Sequence, residues 1–446
     1  MRRSVWRRLS PYQLLILGYA FVAVSGALLL SLPIASARGS SQPFLDALFL
    51  ATSGISTTGL TVVDVGNYYS LFGQLVLLAI FQIGGIGYMT FIILMLYALG
   101  LKGSLRTSIV ARESLVGSNL HLVKSFFFSV LAYSFAFECV GAVVLTLYWM
   151  KEYSPARSIY LGVFHSVSAF CTAGFGLFPD SLMRYQRHTL PNMTIVLLSL
   201  AGGVGFFVLK DLTSFFTNKL NGRHRFRLTL HTRLVLIVTT IIISIGTLVI
   251  LLSEHWPAGM SGYDKALASI FQAVSASTTD GFNTIDIGKM GAASVTILMF
   301  LMFIGASPGS TGGGIKTTTF GLLFILLWSR LRKTQNNLMG REISERCIYD
   351  AVVVALCFML VVLVDSVVLS ITEQSTYVRN LFEVFSALGN TGLSMGITSD
   401  LSGAGKAALI LTMFIGRVGV LSLAFALITQ PRKVFFRYPR EDVFVG

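Results

Sequence analysis

Phe49-Leu50-Ala51-Thr52-Ser53-Gly54-Ile55-Ser56-Thr57-Thr58-Gly59-Leu60 decides the fold, because recognisable copies of it return three more times. The copies end in Cys171-Thr172-Ala173-Gly174-Phe175, Thr278-Thr279-Asp280-Gly281-Phe282 and Gly389-Asn390-Thr391-Gly392-Leu393, with the glycines 115, 107 and 111 residues apart. Ten residues before each glycine stands a phenylalanine (Phe49, Phe164, Phe271, Phe382), and six before it a serine (Ser53, Ser168, Ser275, Ser386). Recurrence of this kind points to a fourfold internal duplication. It divides the chain into repeats at 1–100, 101–220, 221–335 and 336–446.

Each copy begins as an apolar stretch too short to cross a bilayer, about 13 residues against the roughly 20 that a crossing helix needs. It must enter and return. The tail that follows, Ser56 to Leu60 in the first copy, is rich in small and β-branched residues and suits an extended return. Irregular backbone at membrane depth is tolerated only where it is buried in protein or lines a watery path. Four returning stretches from one chain can ring a single axis, with carbonyls replacing the water around an ion. The expected ion-binding residues are Thr57, Thr58, Gly59, Thr172, Ala173, Gly174, Thr279, Asp280, Gly281, Asn390, Thr391 and Gly392.

Composition agrees with a bilayer protein. Of 446 residues 54% are hydrophobic and only 12% charged, with a mean hydropathy of +0.74, which excludes an ordinary soluble globule. Eight segments are apolar enough to span, near 11–33, 71–100, 124–150, 190–217, 231–253, 292–329, 346–372 and 405–430, the sixth broken in its middle. The expected fold is therefore all-α, with eight membrane helices in four span, pore helix, span units around one pore.

Charge sets the orientation. Twenty-three of the 34 Lys and Arg fall at the two chain ends and in three alternate loops, which the positive-inside rule makes cytoplasmic. A multi-pass plasma-membrane protein with both termini in the cytoplasm follows. The net charge of +14 is spread over these loops, so contact with anionic membrane lipid explains it and no nucleic-acid partner is expected. The basic amino end resembles a signal peptide, yet its apolar run is too long and lacks a cleavage site, so it reads as a retained span. The four cysteines show no paired spacing. The sequon Asn192-Met193-Thr194 opens a membrane segment and carries no weight.

A second echo lies in the closing spans: Gly84-Gly85-Ile86-Gly87, Gly202-Gly203-Val204-Gly205, Gly305-Ala306-Ser307-Pro308-Gly309 and Gly416-Arg417-Val418-Gly419. Close helix packing accounts for the first two. In the third, Gly305 to Thr317 holds too much Gly and Pro for a helix, and it reads as an intramembrane loop below the filter that can move. Gly305, Gly309, Ser310, Thr311, Gly312, Gly313, Gly314 and Lys316 are its expected gating residues, joined by Arg417 of the fourth copy. A phosphate-binding loop is the rival interpretation of Gly309 to Lys316, but its spacing is off by one and no strand precedes it.

An arginine at mid-span faces protein or water and is functional by default. Arg417 either repels a resting cation beneath the filter or forms a salt bridge with Asp365 or Glu138. Glu138, Asp350 and Asp365 read as paired or as contacts to a second subunit, and His165 as a packing residue or a donor to a filter carbonyl. Asp280 braces its loop or holds a second cation at the mouth. No nucleophile, base and orienting group converge, so no enzyme is expected.

Taken together, the four T-x-G-[FL]-like tails in register, the broken sixth span and Arg417 closely resemble the superfamily of potassium transporters that includes Trk, Ktr and plant HKT proteins. Eight spans without an extra amino-terminal pair look most like the membrane subunit of the bacterial Ktr system. That resemblance implies channel-like K+ uptake by a homodimer seated on a cytoplasmic ring of nucleotide-binding regulatory subunits. ATP and ADP would bind the ring, not this chain. It also implies that four filter glycines favour K+ over Na+. Sodium dependence is a family property that no residue here establishes. The alternative reading is a cation or solute symporter with a midplane site; it needs inward-facing acids on the closing spans, and those spans have none.

Overall fold

The computed structural model describes residues 11–86, 120–222 and 227–419, together with Leu423, and these are mostly helical. Helix α1 (Pro11–Leu30) leads to the short α2 (Phe44–Ile55), a single turn α3 (Val65–Tyr68) and α4 (Leu71–Gly85). Then come α5 (Leu120–Trp149), α6 (Pro155–Phe170), α7 (Thr189–Gly203) and α8 (Phe206–Leu220). The next stretch holds α9 (Leu230–Ser253), α10 (Gly262–Thr278), α11 (Ala292–Ile304) and α12 (Thr317–Arg332). A small hairpin of β1 (Asn337–Leu338) and β2 (Arg341–Glu342) precedes α13 (Glu345–Thr372), α14 (Tyr377–Gly389) and α15 (Gly403–Val418).

Among the described residues, four helices are long and apolar enough to cross a membrane by length and composition: Gln13–Leu30 within α1, Phe126–Trp149 within α5, α9 and α13; α7 with α8 make a fifth if that bent pair is one span. Exposed Leu, Ile, Val and Phe stud them, Phe21, Val140, Ile241 and Leu360 among others. Lipid, rather than water, suits such faces. The expected second span (71–100) is described only as far as Ile86, and the last (405–430) only as far as Gly419, apart from Leu423.

Local chemistry starts the short helices where the sequence places them. Pro43 and Pro155 open α2 and α6, and the Ser261 hydroxyl accepts from the Asp264 amide at 3.1 Å while donating to its carboxylate at 2.8 Å, capping α10. Each short helix is sheathed by a long helix before it and a closing helix after it: α1, α2, α4; α5, α6, α7; α9, α10, α11; α13, α14, α15. Closing helices also pack on the next short helix, α4 on α6, α7 on α10, α11 on α14 and α15 on α2, so the contacts run full circle. The short helices are the core, and Phe49, Phe164, Phe271 and Phe382 are at most 1% exposed.

One expectation needs correcting. The fourth apolar segment (190–217) reads as a single span in sequence, yet α7 and α8 meet at a bend of 100°. Gly205 turns the chain with φ +95°, and the Phe206 amide bonds the carbonyl of Gly309 at 2.9 Å instead of continuing the helix. Asn192 is fully buried, its amide donating to the carbonyls of Tyr185 (2.9 Å) and Gln186 (3.1 Å), so it is no surface glycosylation site.

Candidate functional site: a ring of four glycines above a loop

All four short helices end alike. The amides of Thr58, Ala173, Asp280 and Thr391 bond the carbonyls of Ser53, Ser168, Ser275 and Ser386 at 2.7–2.8 Å. Those of Thr57, Thr172, Thr279 and Asn390 bond Gly54, Ala169, Ala276 and Ala387 at 3.0–3.4 Å. This is the Schellman pattern, and it explains the recurring serine: its carbonyl is the acceptor six residues ahead of each glycine. The cap requires a left-handed residue, and Thr57, Thr172, Thr279 and Asn390 take it at φ 52°, 49°, 59° and 53°. For threonine that costs about 1–2 kcal/mol each. Gly59, Gly174, Gly281 and Gly392 follow at φ 90°, 68°, 90° and 89°.

Among the described residues nothing donates to the carbonyl preceding each glycine, and that carbonyl lies against a neighbouring copy. A methyl group added to Gly59 would sit 2.5 Å from the Ala173 carbonyl oxygen, and one on Gly174 2.5 Å from that of Asp280. On Gly281 it would strike the Thr391 carbonyl, and on Gly392 that of Thr58. The neighbours are 59 to 174, 174 to 281, 281 to 392 and 392 back to 59. Four separated glycines therefore meet in one closed ring, in chain order, each too tight for a side chain.

Beneath the ring, Gly305 to Lys316 leaves α11 and touches every copy. The Thr57 hydroxyl reaches the Thr311 carbonyl (3.2 Å), the Thr172 hydroxyl reaches that of Thr311 (3.1 Å), and the latter donates to the Phe170 carbonyl (3.1 Å). The Gly313 amide donates to the Thr279 hydroxyl at 3.0 Å, and Gly313 also packs against Gly389 and Asn390. Ser310 bonds back to the Ser307 carbonyl at 2.6 Å, while Gly305, Gly309 and Gly314 take φ of 66°, 69° and 81° and shape the turns. Asn390 ties its own copy to the first by donating to the Thr58 hydroxyl at 3.0 Å.

The loop is also stitched to the bent helix pair. The amides of Ser307 and Thr311 donate to the carbonyls of Gly203 (3.0 Å) and Gly202 (3.2 Å) at the end of α7, and Gly309 accepts from the first amide of α8. These are the groups a helix end leaves unpaired. Two cations lie within the same region. Arg417 donates to the carbonyls of Thr311 and Gly84, and Lys316 to those of Gly312 (2.7 Å) and Gly313 (3.2 Å).

The salt bridge considered for Arg417 does not form. Asp365 accepts from Thr412 (2.8 Å), and Glu138 is bonded by Gln82 (2.9 and 3.0 Å), behind Cys171. Both acids are buried, so neither offers itself to a second subunit; Asp350 is exposed beside Arg346 at 3.9 Å. His165 accepts from the Leu177 amide (3.3 Å) and bonds Leu161, so it packs behind the ring instead of touching a carbonyl of it. Asp280 accepts from Ser199 at 2.7 Å, a brace to α7.

Sequence reasoning missed Glu383. Fully buried on α14, it accepts from the hydroxyls of Ser394 and, at 3.0 Å, Thr398, anchoring the segment that leaves Gly392. Its register was a signal, because the residue after each recurring phenylalanine is Leu50, His165, Gln272 or Glu383, and an acid set beside a core-marking phenylalanine needs a partner.

Comparison with known proteins gives the relatives of the chain. The family model TrkH, described as cation transport protein, matches residues 9–438. The Ktr system potassium uptake protein B of Bacillus subtilis is 37% identical over 99% of this chain and 98% of its own length. The potassium/sodium uptake protein NtpJ of Enterococcus hirae is 34% identical over 100% and 99%. The crystal structure of the potassium transporter TrkH from Vibrio parahaemolyticus shares the fold at a TM-score of 0.74, with 21% identity, covering 96% of this chain and 87% of that one.

Proposed function

The chain belongs to the TrkH family of cation transport proteins, and on that premise we propose that it is the ion-conducting membrane subunit of a potassium uptake system. The observation that carries this reading is the closed ring of Gly59, Gly174, Gly281 and Gly392 with a backbone carbonyl beside each. Carbonyls held in a ring replace the water around a bare monovalent cation. Eight spans in four span, pore helix, span units, with both termini cytoplasmic, carry that ring across the bilayer. The residues flanking the glycines, from Thr57 to Gly59 and their counterparts, form the filter.

Gly305 to Lys316 and Arg417 are the gate. Seated beneath the ring, the loop obstructs the path, and the guanidinium repels a cation arriving from above. Withdrawal of the loop lets ions pass down the membrane potential, worth about 2.3 kcal/mol per charge per 100 mV. The relative named Ktr uptake protein B supports a system of several components. A cytoplasmic nucleotide-binding ring, carrying ATP or ADP itself, would then bias the loop between two populations, with a homodimer of this chain above it. The potassium/sodium relative makes Na+ the second ion to test. Flux of K+ and Na+ into liposomes holding only this chain decides the matter. Selective K+ entry is expected, and entry of neither ion, with the gate deleted, overturns the reading.

A further inference from the structure

Three closing helices share one backbone shape at or after the break: Gly205 (φ 95°, ψ 146°), Lys316 (φ 91°, ψ 137°) and Gly419 (φ 85°, ψ 133°). These dihedrals are glycine territory, and an L side chain there is strained. Two of the three positions carry glycine. The third carries lysine, so the strain is borne by a residue whose ammonium has a definite destination.

That destination is a pair of carbonyls. Nζ of Lys316 donates to Gly312 O at 2.7 Å and Gly313 O at 3.2 Å, and the Gly313 oxygen also accepts from the Ala306 amide at 3.1 Å. Both glycines sit against the floor of the ring, Gly312 beside Thr278 and Thr279, Gly313 beside Gly389 and Asn390. An ammonium and a potassium ion carry the same charge, are similar in size and are held by the same oxygen lone pairs. Oxygens that hold one can hold the other.

We propose that the carbonyls of Gly312 and Gly313 form a monovalent-cation site directly below the glycine ring, which the Lys316 ammonium fills as a tethered stand-in while the loop is seated. The site rests on the reading of the ring as a filter. Water completes the coordination shell when the ammonium is absent. An ion leaving the ring then meets a second oxygen-lined station, and Lys316 competes with it there. A lysine that only ties the loop shut would leave these carbonyls with no affinity for a free cation.

The test is anomalous diffraction from crystals of the full chain grown with thallium(I), comparing wild type with Lys316→Gly and Lys316→Met. Lys316→Gly supplies the residue this backbone favours and removes the ammonium; Lys316→Met keeps the side-chain bulk without the charge. Thallium at the ring is expected in all three, with a second peak against the Gly312 and Gly313 oxygens in the two variants alone. A ring peak without the second peak in either variant overturns the proposal. No peak at the ring in any crystal counts instead against the filter reading.

Discussion

Arg417 donates from one guanidinium to the carbonyls of Thr311 and Gly84, joining the closing helix of the fourth copy to the loop of the third and the helix end of the first. Bonds from a charged donor are each worth about 1.5–3 kcal/mol. Since ~1.4 kcal/mol is a tenfold shift, Arg417→Gln is expected to raise unregulated rubidium uptake at least about tenfold, and Arg417→Lys, which keeps the charge but lacks the fork, by less. Uptake unchanged in Arg417→Gln would show that the seated loop does not depend on it.

A side chain at Gly281 would strike the Thr391 carbonyl and would have to accept φ +90°. Gly281→Ser is expected to lower the K+ over Na+ permeability ratio by roughly tenfold, the change that ~1.4 kcal/mol produces. Competition between the two ions in liposome flux measures it. Full selectivity in that variant would exclude this glycine from ion recognition.

Removing Gly309–Gly314 deletes Thr311, whose hydroxyl and carbonyl hold Thr57, Phe170, Thr172 and Arg417 together. Flux in the absence of any partner should rise while the K+ over Na+ ratio holds, since the Schellman caps that set the ring lie outside the deletion. A rate no higher than wild type would mean that the obstruction lies elsewhere.

Glu383→Ala removes the carboxylate that accepts from the hydroxyls of Ser394 and Thr398, leaving Thr398 to donate to Ser394 alone. A loss of about 1–3 kcal/mol in stability is expected, read as a lower unfolding temperature in detergent, together with weaker ion discrimination. Glu383→Gln, which still offers an acceptor, should recover part of both. Equal damage from the two would indicate that bulk, and not hydrogen bonding, is what this position supplies.

Much of this was legible from the amino acids because the duplication repeats chemistry as well as composition. Phe49 and its echoes mark the buried side of a short helix, Ser53 and its echoes supply the cap acceptor, and Gly59 and its echoes occupy a position with no room for a side chain. The interruption at Gly305 to Thr317 was visible for the same reason, since Gly and Pro at that density break a helix. What stayed hidden depends on partners distant in the chain. Gly202-Gly203-Val204-Gly205 looks like a packing motif, and its bend exists because Gly309, over a hundred residues away, takes the Phe206 amide. The partners of Arg417 were missed because they are peptide oxygens, which any residue could supply and no sequence pattern marks. The strained backbone of Lys316 has no signature of its own either.

If the loop withdraws as proposed, its stitching to the end of α7 makes opening a shared event. When Ser307 and Thr311 depart, the oxygens of Gly202 and Gly203 are stripped, and the first amide of α8 loses Gly309 with them. Straightening α7 and α8 into one rod would re-pair these groups within the chain itself, at the modest helical penalty of Gly203 and Gly205. Only Phe206, Val208 and Leu209 of α8 are buried, so little packing resists such a swing. A pull applied to this arm from the cytoplasm would thus reach the ion path through the second quarter of the protein, without any grip on the obstructing segment.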